Sequence, residues 1–242
     1  MKILNLYAGI GGNRKLWGNE HEITSVEYDP KIAAVYKEFF PNDTVIVGDA
    51  HQYLLDHYKE FDFIWSSPPC PTHSGVNNFL NAQGVIRYPA MELWQEIIFL
   101  QHFCKGKYCI ENVKSYYEPF IKPQISGRHY FWANFKIPNI KTNATVGKMC
   151  GKNQNQNRAK LQSDIGRFGP VKSLNSKRTE GFRDESLLEQ MGERSDRNAP
   201  NNLTMKMKNN CCHPDIGLAI LNAALGIIES NKAAQGGLFE AA

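Results

Sequence analysis

The amino terminus reads MKILNLYAGIGG over residues 1–12, and this stretch decides the fold. Ile3 to Tyr7 is a short apolar run typical of a buried strand, and Gly9, Gly11 and Gly12 follow it where a tight turn is expected. A glycine-rich turn between a strand and a helix lets backbone amides approach a ligand closely, although tight turns also need glycine for steric reasons alone. The stretch therefore predicts the first strand and loop of an α/β domain.

The chain beyond this loop alternates short apolar runs with helical patterns as far as Phe135, which indicates a mostly parallel sheet covered by helices. Further strands are predicted over 22–28, 44–47, 61–65, 108–111 and 128–135. Helices are predicted over 31–40, over 91–105 and, near the end of the chain, over 214–229. Because the last helix needs an apolar partner, we expect it to return to the sheet.

Composition changes after Lys136, since Asn, Gln, Lys, Gly and Ser dominate up to Asn202 and apolar periodicity fades. We therefore expect a main α/β domain over 1–140, a small irregular basic region over 141–205 and the returning helix within 206–242. The formal net charge of +4 is too small to establish a polyanionic partner. The charge of the middle region fits either a phosphate-facing surface or a solvated loop. Its basic residues include Lys148, Lys152, Arg158, Lys160, Arg167, Lys172, Lys177 and Arg178.

Acidic residues follow two of the predicted strands. Glu27 closes the second strand, where a carboxylate in this type of fold accepts hydrogen bonds from ribose hydroxyls. Asp49 follows the third strand, within Gly48-Asp49-Ala50. Because the carboxyl ends of parallel strands meet at one edge of a sheet, the glycines and the two acids predict a nucleoside pocket there. Turn formation and helix capping are the alternative explanations for both acids.

Two reactive side chains follow the next strands. The string Ser66-Ser67-Pro68-Pro69-Cys70-Pro71 places a cysteine on a loop that two prolines stiffen. Cysteine alone is more often a small buried hydrophobe than a nucleophile. The following strand ends in Glu111-Asn112-Val113, which brings an acid to the same edge. Asn112 either ties down the neighbouring loop or serves as a turn residue.

These segments together resemble the cytosine-5 DNA methyltransferases, in particular short members of phage or bacterial type. The matching strings, in the family's order, are NLYAGIGG (5–12), VEYDP (26–30), GDA (48–50), PPCPTHS (68–74) and ENV (111–113). A sixth string, QISGR (124–128), resembles the family's Gln-x-Arg-x-Arg, with Ser126 in place of the first Arg and Arg128 in place of the second. Asn210 and Pro214 loosely resemble the closing Asn-x-x-Pro-Pro motif, and the ninth motif of the family has no counterpart that we can place. The resemblance covers residues 1–135 well and 208–229 weakly.

The resemblance implies an α/β, Rossmann-like S-adenosylmethionine-dependent methyltransferase domain with a small irregular target-recognition insert. The cofactor it implies is S-adenosyl-L-methionine, held by Tyr7, Ala8, Gly9, Gly11, Gly12, Glu27, Tyr28, Asp49, Ala50 and Pro68. Three catalytic residues are implied as well. Cys70 adds to ring carbon 6 of cytosine and Glu111 protonates ring nitrogen 3. Arg128 holds the carbonyl oxygen of the base and helps to keep Cys70 ionised. The implied partner is double-stranded DNA, from which the target base must be flipped out.

Two other functions remain open. A tRNA cytosine-5 methyltransferase would use the same catalytic string on a flipped base in RNA. A catalytically silent nucleic-acid-binding or regulatory subunit would keep the fold, and Ser126 and the unplaced ninth motif are compatible with it, whereas intact Cys70 and Glu111 argue against it. A cognate restriction nuclease that acts separately is a further candidate partner.

The sequence predicts neither a membrane partner nor a metal site. The amino terminus lacks the pattern of a signal peptide and no stretch could span a bilayer, which favours the cytoplasm of a bacterial or phage-infected cell. Cys211-Cys212-His213 with Cys150 lacks the Cys-x-x-Cys spacing of common zinc sites, and the irregular cysteine spacing predicts reduced thiols. His73 and Ser74 are expected either to line the substrate loop or to be exposed. The aromatic run over 130–135 favours a core strand over a base-stacking platform.

Overall fold

The structure of the protein is a computed structural model, in which residues 1–139, Met207 and residues 211–227 are described. The basic region predicted over 141–205 lies outside the described residues, as does Cys150.

Within the described residues, seven strands form one mixed sheet in the order β3-β2-β1-β4-β5-β7-β6. The strands are β1 (Lys2–Leu6), β2 (Glu22–Glu27), β3 (Thr44–Val47), β4 (Phe63–Ser66), β5 (Lys107–Val113), β6 (Gln124–Ser126) and β7 (His129–Ala133). The strands β1 to β5 run parallel to one another. β7 runs antiparallel to β5, and β6 antiparallel to β7. The predicted mostly parallel sheet is therefore confirmed, with an antiparallel hairpin at one edge that the sequence pattern does not indicate.

The helices of the described residues lie between and after these strands. They are α1 (Pro30–Phe39), α2 (Ala50–His57), α3 (Val76–Ala82), α4 (Glu92–Phe103) and α5 (Pro214–Ala224), with 3-10 turns at Arg14–Leu16 and Tyr58–Glu60. The sequence pattern does not predict α2, because half of its residues are polar and only Ala50 and Leu54 are buried. None of the helices in the described part of the chain is long and apolar enough to cross a membrane.

Alternation along the strands sends side chains to an apolar core on each face of the sheet. On one face, Leu4 and Ile64 pack with side chains of α2 and α4. On the opposite face, Ile3 and Phe63 pack with Ile220 and other side chains of α5. Both faces of the central strands are thus covered, which explains why these strands are apolar runs in the sequence.

Helix α5 approaches the segment after the glycine loop closely. A Cβ atom at Gly217 would overlap the carbonyl oxygen of Asn13, and one at Gly12 would overlap the carbonyl oxygen of Cys212 and the sulfur of Cys211. Both glycines are therefore required by contact between backbones of this chain. Gly12 thus has a packing role, and its contact with a cofactor stays a prediction.

Substituting Gly217 by Ala should destabilise the protein. In an ordinary helix interior this change stabilises by roughly 0.5–1 kcal/mol. Here the added methyl group overlaps backbone atoms, and overpacking costs typically about 1–3 kcal/mol. Urea denaturation followed by circular dichroism would measure the loss. Asn222→Ala, at a half-buried position of the same helix, is the control and should change the free energy of unfolding by less than about 0.5 kcal/mol. A Gly217→Ala protein at least as stable as the wild type would contradict the packing.

Candidate active site

The candidate site lies at the carboxyl ends of β1 and β4, where the strand order reverses. β1 pairs with β2 on one side and with β4 on the other. The loops that leave such a pair of strands diverge, and ligands bind in the resulting crevice in open α/β sheets. The glycine loop leaves β1 at this point, and the loop that carries Cys70 leaves β4.

The glycine loop has a strained backbone and one open face. Tyr7 has a positive φ of 55°, and Gly9 and Gly11 have φ values of 56° and 81°. A Cβ at Gly11 would overlap the ring of Phe40, whereas one at Gly9 would meet no atom of the described residues within 4 Å. Gly11 is therefore required by packing inside the protein. Gly9 leaves its backbone open to a ligand, as the sequence pattern predicts.

Glu27 holds this loop from the end of β2. Its Oε2 accepts the Gly9 N–H at 2.9 Å, and its Oε1 accepts the Asp29 N–H at 3.0 Å. The side chain is half-buried, and the neighbouring Tyr28 is 77% exposed. Glu27 therefore has the turn-forming role that the sequence left open, at the place where a ribose-binding carboxylate is expected.

Asp49 is the N-cap of α2. Its Oδ1 accepts the N–H groups of His51 at 2.8 Å and of Gln52 at 3.2 Å. Asp49 thus caps α2, which is one of the alternative explanations that the sequence leaves open. Asp49 itself is exposed and Ala50 is buried at the first position of the helix. The exposed carboxylate remains accessible at the edge where β3 ends.

The loop that carries Cys70 is tied to β5. The Asn112 Nδ2 donates to the Pro68 carbonyl at 3.0 Å, in a buried hydrogen bond. The Cys70 carbonyl accepts the N–H groups of His73 at 2.9 Å and Ser74 at 3.0 Å. Of the two interpretations of Asn112, the loop tie is therefore confirmed. Cys70 is half-buried and Pro68 is buried, so this loop presents the thiol from a fixed backbone.

His73 is packed beneath the same loop. Its side chain is in contact with Tyr117, whose hydroxyl lies 2.6 Å from Nδ1, and the residue is 1% exposed. Burial lowers the pKa of His73. Of the two alternatives for His73, the exposed loop residue is wrong, because its ring fills the space between the loop and the segment after β5. Ser74 is half-buried and bridges to Ser115.

Glu111 reaches the same edge of the sheet as Cys70. β4 and β5 pair Ser66 with Ile110, so Glu111 lies one residue beyond the last pair of that ladder. Its Oε1 is 3.6 Å from Nε2 of His129, the first residue of β7. Arg128, which is exposed, immediately precedes His129 in the turn between β6 and β7. The structure thus places Glu111 and Arg128 where the paired strands β5 and β7 meet, at the end of β5 to which the Cys70 loop is tied.

Ser126 explains one departure from the family's pattern. It is 4% exposed, and its hydroxyl donates to the Pro138 carbonyl at 2.9 Å. The position where the family has its first Arg is therefore inside this protein, where a small hydroxyl side chain fits.

Sequence analysis misses a buried carboxylate beneath the crevice. Glu96, on α4, is completely buried. It accepts hydrogen bonds from the Tyr7 hydroxyl at 2.5 Å and the Ser66 hydroxyl at 2.7 Å, and it lies 3.1 Å from Nδ1 of His51. The available signal is its place on the apolar side of α4, between the buried Leu93 and Leu100.

Metal binding has no support in the described part of the chain. Over residues 1–139, 207 and 211–227, no group of three His, Cys, Asp or Glu side chains could hold a metal ion.

Comparison with known families identifies the domain. The model of the family described as C-5 cytosine-specific DNA methylase matches residues 1–120. Residues 1–120 belong to that family. The matched segment of this chain contains the glycine loop, Glu27, Asp49, Cys70 and Glu111, and it ends before Arg128. The predicted family is confirmed for residues 1–120. The predicted Rossmann-like α/β methyltransferase fold is confirmed as well.

Several solved structures are similar to this chain, over about half of its length or over most of it. A DNMT2 mutant from Spodoptera frugiperda has 28% sequence identity and a TM-score of 0.33, and the similarity covers 47% of this chain and 35% of that one. The methyltransferase EhMeth from Entamoeba histolytica has 11% identity and a TM-score of 0.49, with coverage of 93% and 98%. TrmN from Thermus thermophilus has 13% identity and a TM-score of 0.36, with coverage of 55% and 43%. None of the curated proteins compared with the chain matches it significantly.

Substituting Asn112 by Ala should release the Cys70 loop. The change leaves the Pro68 carbonyl without its buried donor, and an unsatisfied buried polar group costs about 1–3 kcal/mol. Urea denaturation would measure this loss. Asn78→Ala, at an exposed position of α3, is the control and should change stability by less than about 0.5 kcal/mol. Equal stabilities of the two variants would show that the tie does not hold the loop.

Proposed function

We propose that this protein transfers a methyl group from S-adenosyl-L-methionine to carbon 5 of a flipped cytosine in DNA, through a covalent adduct with Cys70. The observation that carries the proposal is the hydrogen bond between Asn112 and Pro68. It holds the Cys70 loop beside Glu111, at the sheet edge where the glycine loop and Glu27 also lie. Membership of residues 1–120 in the C-5 cytosine-specific family supports the same reaction.

The described pocket fits S-adenosyl-L-methionine. The open face of Gly9 admits a ligand against the backbone. Glu27 is suited to accept hydrogen bonds from two ribose hydroxyls, and the exposed ring of Tyr28 offers an apolar face to an adenine. The remaining residues proposed to line the pocket are Tyr7, Ala8, Gly11, Gly12, Asp49, Ala50 and Pro68. When bound, the cofactor supplies a methyl group made electrophilic by a sulfonium.

The proposed reaction begins at Cys70. Its thiolate sulfur forms a bond to ring carbon 6 of cytosine while Glu111 donates a proton to ring nitrogen 3. Addition of Cys70 would make carbon 5 enamine-like, so that it could accept the methyl group that bound S-adenosyl-L-methionine would supply, with the demethylated cofactor as leaving group. Loss of the carbon-5 proton to water and cleavage of the bond to Cys70 would then restore the aromatic ring, and the proton on nitrogen 3 would return to Glu111. Arg128 holds the carbonyl oxygen of the base throughout.

Double-stranded DNA is the proposed substrate. A duplex hides the face of the base that Cys70 attacks, so the target must be flipped out at a cost of a few kcal/mol. Phosphate contacts that offset this cost are assigned in the proposal to the basic region over 141–205. A tRNA substrate would require the same catalytic residues, and a silent binding subunit would require neither Cys70 nor Glu111 at the shared edge.

DNA that contains 5-fluorocytosine should trap the protein through Cys70. Fluorine on carbon 5 cannot leave as a proton does, so the adduct cannot resolve after methyl transfer. With S-adenosyl-L-methionine present, denaturing gel electrophoresis should show a cross-linked complex for the wild type and for the control Cys104→Ser, and none for Cys70→Ser.

A complex that persists in the Cys70→Ser variant would exclude Cys70 as the nucleophile. Trapping by fluorinated tRNA but not by fluorinated DNA would replace the DNA substrate with RNA. Absence of trapping by either nucleic acid in the wild type would favour the silent subunit.

Substituting Glu27 by Ala should weaken the binding of S-adenosyl-L-methionine. The ribose hydroxyls would lose the carboxylate that accepts their hydrogen bonds, and the Gly9 N–H would lose its acceptor. Hydrogen bonds to a charged group are worth about 1.5–3 kcal/mol, which is the expected loss in binding free energy by calorimetry. Glu22→Ala, exposed at the opposite end of the same strand, is the control and should bind as the wild type does. Unchanged affinity in Glu27→Ala would remove Glu27 from the site.

A further inference from the structure

Glu96 has no exposed surface, although it is a carboxylate on a helix that covers the sheet. Burying such a group costs several kcal/mol unless it is paired and fully hydrogen-bonded. Both oxygens have partners: Oε1 accepts from Tyr7 at 2.5 Å and lies 3.1 Å from the His51 ring, and Oε2 accepts from Ser66 at 2.7 Å. The four side chains, which we name the Glu96 cluster, therefore stabilise one another as a unit.

The partners of Glu96 come from three different segments of the proposed cofactor pocket. Tyr7 directly follows β1 and opens the glycine loop. His51 is the second residue of α2, next to Asp49 and Ala50. Ser66 is the last residue of β4 and leads into Pro68 and Cys70. One carboxylate thus contacts all three segments from beneath.

The contact with Tyr7 is needed because the backbone there is strained. A left-handed conformation costs a residue other than glycine about 1–2 kcal/mol, and Tyr7 has a φ of 55°. Burial and the adjacent Glu96 carboxylate raise the pKa of the Tyr7 hydroxyl, so it remains a hydrogen-bond donor. The hydrogen bond to Glu96 therefore offsets the strain and fixes the direction in which the loop leaves β1.

We propose that Glu96 is a positioning residue of the cofactor pocket, and that its carboxylate sets the position of the Tyr7 loop relative to the start of α2 and the end of β4. The identity of the ligand rests on the proposed function, whereas the arrangement of the cluster does not.

The cluster also predicts a pH dependence through His51. Hydrogen bonding to Glu96 raises the pKa of His51, and burial opposes this rise. The negative charges of Glu96, Glu92 and Asp49 raise the pKa further. The ion pair is complete below the ordinary histidine pKa of about 6.5. It is lost as the pH rises through the raised value. Cofactor affinity should therefore decline as the pH rises through that value.

Two variants test the cluster, each with a matched control. Tyr7→Phe removes only the hydroxyl, and Tyr58→Phe removes a hydroxyl far from the crevice. Glu96→Gln removes the buried charge, and Glu38→Gln removes an exposed charge on α1.

Amide hydrogen exchange of the protein without any ligand is the first measurement. Glu96→Gln should speed exchange together at 8–12, at 50–52 and at the Ser67 and Cys70 amides, and Tyr7→Phe should speed it mainly at 8–12. The controls should leave all three segments unchanged. Exchange that is unaltered, or accelerated only uniformly across the protein, would overturn the proposal.

Affinity for S-adenosyl-L-methionine as a function of pH is the second measurement. Tyr7→Phe should raise the dissociation constant and the KM for this cofactor by about tenfold, as expected for one hydrogen bond to a charged group, with kcat nearly unchanged. Glu96→Gln should in addition abolish the decline at higher pH. A lowered melting temperature with unchanged affinity and pH profile would make Glu96 merely structural and overturn the proposal.

The two measurements separate this inference from the proposed function. If the wild type binds no S-adenosyl-L-methionine, the proposed function fails, and hydrogen exchange alone still decides whether the cluster positions the three segments. If Glu96→Gln does not fold, Ser66→Ala and Tyr7→Phe should each still loosen the segment that they contact, and failure of both to do so overturns the proposal.

Discussion

The reversal of strand order at β1 is the constraint on which the rest of the structure depends. The parallel strands bring their following loops to one edge of the sheet, and because β1 lies between β2 and β4, the loops after β1 and β4 diverge there and leave a crevice. Glu27, Asp49, Cys70 and Glu111 are scattered through more than a third of the sequence, yet each follows or closes a strand of this set. The topology alone therefore brings two groups of residues to one crevice. Glu27, Asp49 and the glycine loop lie on one side, and the Cys70 loop lies on the other.

Two buried carboxylates then hold the glycine loop from either end. Glu96 contacts Tyr7 before the loop. Asp43 pairs with Arg14 after it at 2.9 Å, with both side chains 4% exposed, and also accepts from the Tyr36 hydroxyl at 2.7 Å. Buried networks of this kind are costly when incomplete and rigidifying when every member is satisfied. The loop is therefore a preorganised surface, although its backbone includes a left-handed residue other than glycine.

The sequence predicts the parts of the fold that follow from local pattern. The strand over 44–47 has the predicted limits, and the other predicted strands are found with their ends displaced by a few residues, because apolar runs mark strands that are buried on both faces. The short strand β6 (Gln124–Ser126) is missed. Helix α2 is missed because only Ala50 and Leu54 are buried, which leaves a thin apolar stripe along the helix. The hydrogen bond from Asn112 to Pro68 spans 44 residues, and Glu96 contacts the ends of two strands and the start of α2. Neither interaction therefore has a local signature in the sequence. The one sign of Glu96 in the sequence is a charged residue within the apolar pattern of α4. A solvated glutamate in a helix would give the same pattern, so this sign does not identify a buried carboxylate.

The glycine string shows why a matching motif overstates the number of ligand contacts. Gly9, Gly11 and Gly12 match the family string together, yet each has its own physical reason. Gly9 is open to solvent, Gly11 leaves room for the ring of Phe40, and Gly12 leaves room for the backbone of Cys212 just before α5. A substitution at Gly12 would therefore first displace Cys211 and Cys212, which precede α5. It would affect a bound ligand only by moving the glycine loop. Because α5 reaches the loop through that contact, the distant carboxyl-terminal helix is part of the support of the crevice, and a motif that looks local in the sequence depends on packing from the far end of the chain.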